Sequence, residues 1–481
     1  MPVLLRFQRQ SAKFLSSGTS IVPSRLKFLH SIVPDIPKSG RSFTTASPQA
    51  IQPQSTTQAI ANNTPRSRPV RHIRRGHPLG VLRNSQYRRY WAAGFTTFTG
   101  FNMQMLIRGW VMYDLTHSPL MVTMVTAAMM MPMLLLSLIG GAMADRVDRK
   151  TITIVSDVSL LLSFLGLFAI SVAGIMAPWH ILSVSIINGI AFSLAVSARQ
   201  SLISGLVHRE QLRTAVGLSS TTYNSAQIIG PAIGGAMLPL LGPTWTLGAS
   251  AILVIPALVL YSSLEPIKHA SVNQAQGSII ENVKAGLTYT FNASTLRFLM
   301  LSAMVMILTV GPFQSLMPVF AKDVLNVGAG GLGVLMLAAG VGALIGSISV
   351  VAIGDSIGHE KLELIFGLCA AAALASFALS PWYALSIIMV SITAFSATSF
   401  MVVNMTVIQV STPDYIRGRV VSVRFLVIGL MPLGALTMGF AAESLGAPIA
   451  VAIIAGTGAI GFTLVQIASR ILPMAKSDTS S

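Results

Sequence analysis

Three features of this sequence have residue types and spacings that could do chemistry. The first is Gly140-Gly141-Ala142-Met143-Ala144-Asp145-Arg146-Val147-Asp148-Arg149-Lys150, where carboxylates and clustered bases share one turn between two apolar runs. A carboxylate beside a helix N-terminus is stabilised by the dipole and the free N–H groups, and opposed charges between helices can latch one of two packings. The second is Ala226-Gln227-Ile228-Ile229-Gly230-Pro231-Ala232-Ile233-Gly234-Gly235. Small residues four apart let helices approach closely, and a proline bends the helix that carries it. The third is charge inside apolar runs, at Arg108 and Asp157. Such groups are costly in a bilayer and usually functional. For Arg108 two readings stand: a pathway or substrate-charge role, or anchoring near a helix end or structural pairing. Asp157 reads either as a proton carrier or as the partner of a nearby charged cluster.

Enzyme signatures lead nowhere. Gly328-Ala329-Gly330-Gly331-Leu332-Gly333 satisfies Gly-x-Gly-x-x-Gly but lacks the strand and helix that a dinucleotide site requires. The chain has no Gly-Lys dipeptide and hence no phosphate-binding P-loop, and His359-Glu360 lacks the second His of a zinc protease. A single cysteine excludes a disulfide framework and any cysteine-built metal site. The expectation is a chain that is no enzyme and needs no cofactor or metal, so energy must come from an ion gradient or from the substrate gradient.

The elements that position these residues are long and apolar. Of 481 residues, 53% are hydrophobic and 10% charged, and the mean hydropathy is +0.71. Runs of roughly twenty apolar residues, the length that crosses about 30 Å of hydrocarbon, recur twelve times: 90–113, 119–144, 151–173, 178–198, 214–241, 244–263, 296–320, 329–353, 361–380, 382–406, 420–441 and 447–468. Prolines 132, 231, 256, 312 and 432 fall inside them, as bilayer helices tolerate.

The net charge of +17 is not a nucleic-acid footprint, because residues 1–90 hold fifteen of the 32 bases and one of the fifteen acids. Of the seventeen bases beyond, fifteen fall on the side of the tail, Arg199 and Arg424 counted among them; Lys322 falls opposite and Arg108 within the first run. The positive-inside rule then puts both termini in the cytoplasm. The tail is rich in Arg, Ser and Thr and nearly free of acid. A disordered cytoplasmic tail, a start placed too early and an organellar transit peptide all fit that composition.

The predicted organisation is a tail (1–85), a six-helix bundle (86–264), a linker (265–295), a second six-helix bundle (296–470) and a short tail (471–481). In the linker Ile280, Val283, Leu287 and Phe291 recur near helical spacing, which reads as an amphipathic interfacial helix or, alternatively, a mobile linker. Two echoes suggest duplication: Ala144–Lys150 with Gly354–Lys361, and Arg209–Arg213 with Pro413–Arg417, at offsets of 210 and 204.

At this point the whole region from about 85 to 470 resembles the major facilitator superfamily. Its loop signature is matched at Gly141, Ala144, Asp145, Arg146, Arg149 and Lys150, with Met143 for Leu and Asp148 for Gly. The resemblance implies an all-α polytopic membrane protein of twelve transmembrane helices in two pseudo-symmetric six-helix bundles. It implies a gate at Asp145 and Arg149, flanked by Gly141, Arg146 and Lys150, with Asp414 and Arg417 as partners; a purely topological role for these bases is the alternative. Gly230, Pro231, Gly234 and Gly235 resemble the element of proton-coupled exporters, with Ala226 in place of its first Gly.

Arg108–Thr116, Ala198–Leu202 and Pro413–Val420 resemble the drug and siderophore exporter branch. The family's cavity-lining helices make Asn102, Gln104, Arg108, Asn188, Asn224, Gln227, Gln314 and Asn404 the candidate substrate pathway, each uncharged one equally able to bond between helices. The expected function is secondary active export of a small drug- or siderophore-like molecule by alternating access, with proton antiport, from a monomer in the cytoplasmic membrane. Facilitated diffusion, uptake, a non-transporting sensor or assembly protein, and the mitochondrial inner membrane are the alternatives.

Overall fold

The computed structural model of the protein describes residues 78–144, 148–265, 279–353 and 358–471. Asp145, Arg146, the tail up to residue 77, the start of the linker, the first half of the Gly354–Lys361 echo and the last residues lie outside the described residues. Local chemistry sets the helix starts. Asn84 opens α1 (Ser85–Thr116) by accepting from the N–H groups of Gln86 and Tyr87 at 3.0 and 3.3 Å. The Ser118 hydroxyl accepts from Met121 N–H at 3.2 Å at the head of α2 (Pro119–Ala144). Asp148, where the family signature has glycine, caps α3 (Arg149–Val172) through Thr151 N–H at 3.1 Å. A proline starts α4 (Pro178–Leu206).

The next helix, α5 (Leu212–Ile252), passes through Gly242, whose φ of 74° and ψ of 171° suit only glycine. The chain reverses there before Pro243, so α5 holds one pass and most of a second, completed by α6 (Val254–Ser262). After the linker helix α7 (Ile279–Asn292) comes α8 (Ser294–Thr309), extended by tighter and looser turns around Pro312 and Pro318 to Val324. Then follow α9 (Gly328–Ile353), α10 (His359–Leu379) and α11 (Tyr383–Ser411). A single pass broken before Pro432 comprises α12 (Asp414–Ile428) and α13 (Met431–Leu445), and α14 (Ala447–Ile471) is last.

Among the described residues, ten segments are long and apolar enough to cross a membrane. The segment 212–262 counts once among them yet turns back at Gly242, and the 32-residue α1 is long enough but diluted by Thr, Asn, Gln and Arg. With both included, the passes number twelve. In the first half α1 packs on α5 and α6, α2 on α4, and α3 on α4; in the second, α8 packs on α13 and α14, α9 on α11, and α10 on α11. The halves meet through α2 on α13 and α5 on α9, a pair that exchanges under the same pseudo-symmetry. The outer surface is apolar, with Leu162, Val259, Ile348 and Leu464 all exposed, as suits contact with lipid.

Of the predicted apolar stripe on the linker helix, Leu287 packs inward and Phe291 does not, and the side chains of Ile280 and Val283 lie outside those described. Gly286 lies against the backbone of Arg419 on α12, Leu287 and Tyr289 pack into the cluster around Leu299 and Ile416, and Phe291 is exposed. Glycine at 286 brings the helix close enough that its neighbours make the contact.

Candidate functional site

Helix direction defines two faces. One, the basic face, carries Arg149, Lys150, Arg297, Lys361, Arg417 and Arg419 at helix ends; the far face carries the ends at Thr116, Val324 and Leu445. A cavity of about 480 Å³ is lined by the second half, at Val310, Phe313 and Gln314 after α8, Ala343 of α9, and Thr398, Met401, Met405 and Gln409 of α11, with Gln227 of α5 as its one lining residue from the first half among those described. It runs from mid-helix at Gln227 and Gln314 toward the basic face at Gln409. Its walls are mostly apolar, with a few amides and hydroxyls to orient a ligand.

Among the described residues, the polar contacts that join the halves gather on the far face. The Tyr113 hydroxyl donates to the Asp323 carboxylate. Lys322 Nζ pairs with Asp114 at 2.5 Å and stands over the rings of Trp110 and Tyr113 at 5.9 and 5.8 Å. Glu443 accepts from the Ser118 hydroxyl at 2.8 Å and from Leu120 N–H at 3.2 Å, capping α2 from the opposite half. Lys322 stands out in the sequence as the outer base, but Tyr113, Asp114, Asp323 and Glu443 do not, because the positive-inside reading weighs bases and not acids near span ends. The cluster Trp110, Tyr113, Asp114 inside one quoted stretch was the available signal.

Helix approach completes this closure. A Cβ on Gly230 would stand 2.6 Å from Thr99 O and one on Gly234 would stand 3.1 Å from Met103 Cγ, so both serve the α1–α5 contact. Gly235 instead meets Gly333 of α9 backbone to backbone. The Gly-rich run at 328–333 is thus a helix crossing between the halves. Pro231 is buried beside Gly230.

The sequence model of a family described as a transmembrane secretion effector, MFS_3, matches residues 77–481. The chain belongs to this family. It is 25% identical over 370 residues to the multidrug efflux pump Tap of Mycolicibacterium fortuitum, covering 74% of this chain and 88% of that one. It is also 25% identical over 317 residues to the enterobactin exporter EntS of Shigella flexneri, covering 64% and 72%. A crystal structure of a bacterial homologue of the human lysosomal transporter Spinster, inward-facing and unoccupied, shares the fold with a TM-score of 0.64 at 14% identity, covering 81% of this chain and 97% of that one. The chain is accordingly a multi-pass membrane protein of the major facilitator fold.

On the basic face of this MFS_3 chain the signature residues are held within one half. Lys150 Nζ donates to the carbonyls of Ser262 and Leu264 at 2.8 and 2.5 Å, and Arg149 reaches Ser201 O at 3.5 Å. Arg417 pairs with Asp414 of its own helix at 2.5 Å and donates to the carbonyls of Gln409 and Thr412. Gly141 lies in the last turn of α2.

The eight pathway candidates separate. Gln227 and Gln314 face the cavity, and Asn224 is exposed one turn before Gln227. Asn102 is partly buried and donates to Phe98 O at 2.8 Å. Gln104 and Asn188 are buried within the first half, where they accept from Ser250 at 2.5 Å and Ser163 at 2.7 Å. Arg108 is buried there too, its guanidinium on Ser185 Oγ at 3.0 Å and Gln104 O at 3.4 Å. Asn404 belongs to a buried cluster in the second half. Arg199 and Arg424, counted by sequence as loop bases, are inside helices and 4% and 3% exposed. Position near a span end does not distinguish a base that faces water from one turned into the bundle.

Two buried carboxylates lie near these arginines, one paired directly and one through an amide. Asp157 of α3 pairs directly with Arg199 of α4 and accepts from Thr97 of α1 at 3.2 Å. Glu363 of α10, which the sequence reading missed, accepts from Asn404 Nδ2 at 2.8 Å and from Ser302 of α8 at 3.1 Å. The offset of 206 between Asp157 and Glu363, close to the 204 of the second echo, was a legible signal.

Proposed function

We propose that this protein exports a small molecule across the cytoplasmic membrane by alternating access, with protons as the counter-ion. One observation carries the reading: the cavity that Gln227 shares with the second half reaches toward the basic face at Gln409, while aromatic, ionic and glycine contacts close the far face. With the basic face cytoplasmic, as the base distribution favours, this is the state that loads substrate from inside. The efflux and siderophore-export functions of Tap and EntS support that direction and suggest a drug- or siderophore-like substrate. The alternation is a rocking of the halves about the α2–α13 and α5–α9 contacts, with Gly235 permitting the close approach of α5 to α9 and Gly230, Pro231 and Gly234 shaping the α1–α5 contact that carries it.

In the opposite state Asp145, Arg146 and Arg149 meet Asp414 and Arg417 and latch the basic face; in the present one Arg417 is spent on Asp414. Gln227 and Gln314 orient the substrate. The test is proteoliposome efflux under an imposed pH gradient, with ethidium and a catecholate siderophore as probes. Gradient-driven accumulation that a protonophore abolishes is expected, and Asp145→Asn should slow it about tenfold, the worth of one charge-assisted bond, at unchanged expression. Transport that ignores the protonophore refutes antiport, and wild-type rates in Asp145→Asn refute the gate.

A further inference from the structure

The cluster around Glu363 is a second charge centre that the cavity and its closures leave without a role. Glu363 is 7% exposed, and its two carboxylate oxygens accept from Asn404 Nδ2 and Ser302 Oγ. The nearest arginine does not touch it. Arg424 of α12 donates through Nε to Asn404 Oδ1 at 2.8 Å, so the amide stands between anion and cation. Its Nη2 reaches Met401 Sδ at 2.9 Å, a residue of the cavity wall, and its Nη1 has no hydrogen-bond partner among the described residues. A carboxylate bonded by two neutral donors, with its cation one side chain away, can lose its charge without breaking an ion pair.

We propose that Glu363 is the proton-binding carboxylate of the second half, and that Arg424 reads its charge through the Asn404 side chain. The inference rests on the proton-coupled part of the function proposed above. Other charged and titratable groups on the elements packed around Glu363 lie toward helix ends, Arg297 on α8, Asp414, Tyr415, Arg417 and Arg419 on α12, Arg470 on α14, and His359, Glu360 and Lys361 on its own helix; Tyr383 lies at the far-face end of α11, and Cys369 is exposed further along α10. A proton on Glu363 leaves the buried Arg424 cation without a balancing charge, which is unfavourable in a low-dielectric interior. Relief comes from moving α12, and α12 continues into α13, the helix that packs on α2 of the first half. Proton binding is in this way joined to the contact about which the halves rock.

Infrared difference spectroscopy of the full chain in lipid, between acid and alkaline buffers, tests the assignment without any transported substrate. Its outcome is therefore separate from the efflux experiment that decides proton antiport. Expected is a protonated-carboxyl C=O band in the wild type that converts to carboxylate as pH rises, is absent from Glu363→Gln and is kept in Glu210→Gln, an exposed control. A wild type without the band, or Glu363→Gln that retains it, overturns the proposal. If Glu363→Gln does not fold, Asn404→Ala decides: a displaced midpoint of the same band is expected, and an unchanged midpoint overturns the proposal.

Discussion

The two buried carboxylates occupy equivalent places in the two halves and are held differently. Each accepts from a hydroxyl on the first helix of its half, Thr97 at 3.2 Å for Asp157 and Ser302 at 3.1 Å for Glu363. Each faces a polar side chain on the fourth helix, Arg199 or Asn404. In the first half that side chain is itself the cation, and Arg199 lies over the rings of Phe98 and Tyr261 at 5.1 and 5.8 Å, sealed from the cavity. In the second half the cation is displaced onto α12 and touches the cavity wall. A duplicated frame has thus become a closed ion pair on one side and an open relay on the other, and a closed pair braces a bundle where a relay can respond.

The largest test of this contrast is Arg199→Ala. Removing one partner of a buried direct pair leaves Asp157 uncompensated, and a loss of about 3–5 kcal/mol in unfolding free energy is expected, read from denaturant midpoints in detergent. Arg424→Ala should cost only about 1–3 kcal/mol, because it orphans Asn404 Oδ1 while Glu363 is free to take a proton. Equal losses in the two variants would break the distinction between brace and relay.

Much of the frame was legible in the sequence. Twelve apolar runs and the six-and-six division come from period and length, which a bilayer enforces strictly, whereas the glycine-proline element was read from its resemblance to an exporter motif. The far-face closure was not legible, because Tyr113 and Asp114 meet Lys322 and Asp323 across some 208–210 residues of chain. Nor was the role of Arg199 and Arg424 legible, since a base near a span end looks alike whether it turns to water or into the bundle. The pathway candidates split for a related reason. Gln104 and Asn188 are as polar as Gln227, yet they meet Ser250 and Ser163 within their own half, and a list of mid-span polar residues carries no helix rotation.

A smaller test asks whether the hydroxyls are as equivalent as the geometry makes them. Thr97→Val and Ser302→Ala each delete one hydrogen bond to a buried carboxylate, so each should cost about 1.5–3 kcal/mol, the worth of a bond to a charged group. If the second half carries a protonatable Glu363, the cost of Ser302→Ala shrinks toward about 1 kcal/mol in acid buffer, where the acceptor is neutral, while that of Thr97→Val changes less because Asp157 is paired directly with Arg199. Matching pH profiles would remove the asymmetry.

The smallest effect is expected at Arg417, whose pairing with Asp414 differs from the Asp157–Arg199 pair chiefly in exposure, 43% and 88% against 4% and 0%. An exposed pair gains little over hydration, so Arg417→Ala should change unfolding free energy by no more than about 1 kcal/mol. Its effect on export is a separate matter: if Arg417 leaves Asp414 to latch the basic face, efflux slows although stability holds. A variant that loses stability as Arg199→Ala does would show that burial is not what distinguishes brace from surface pair.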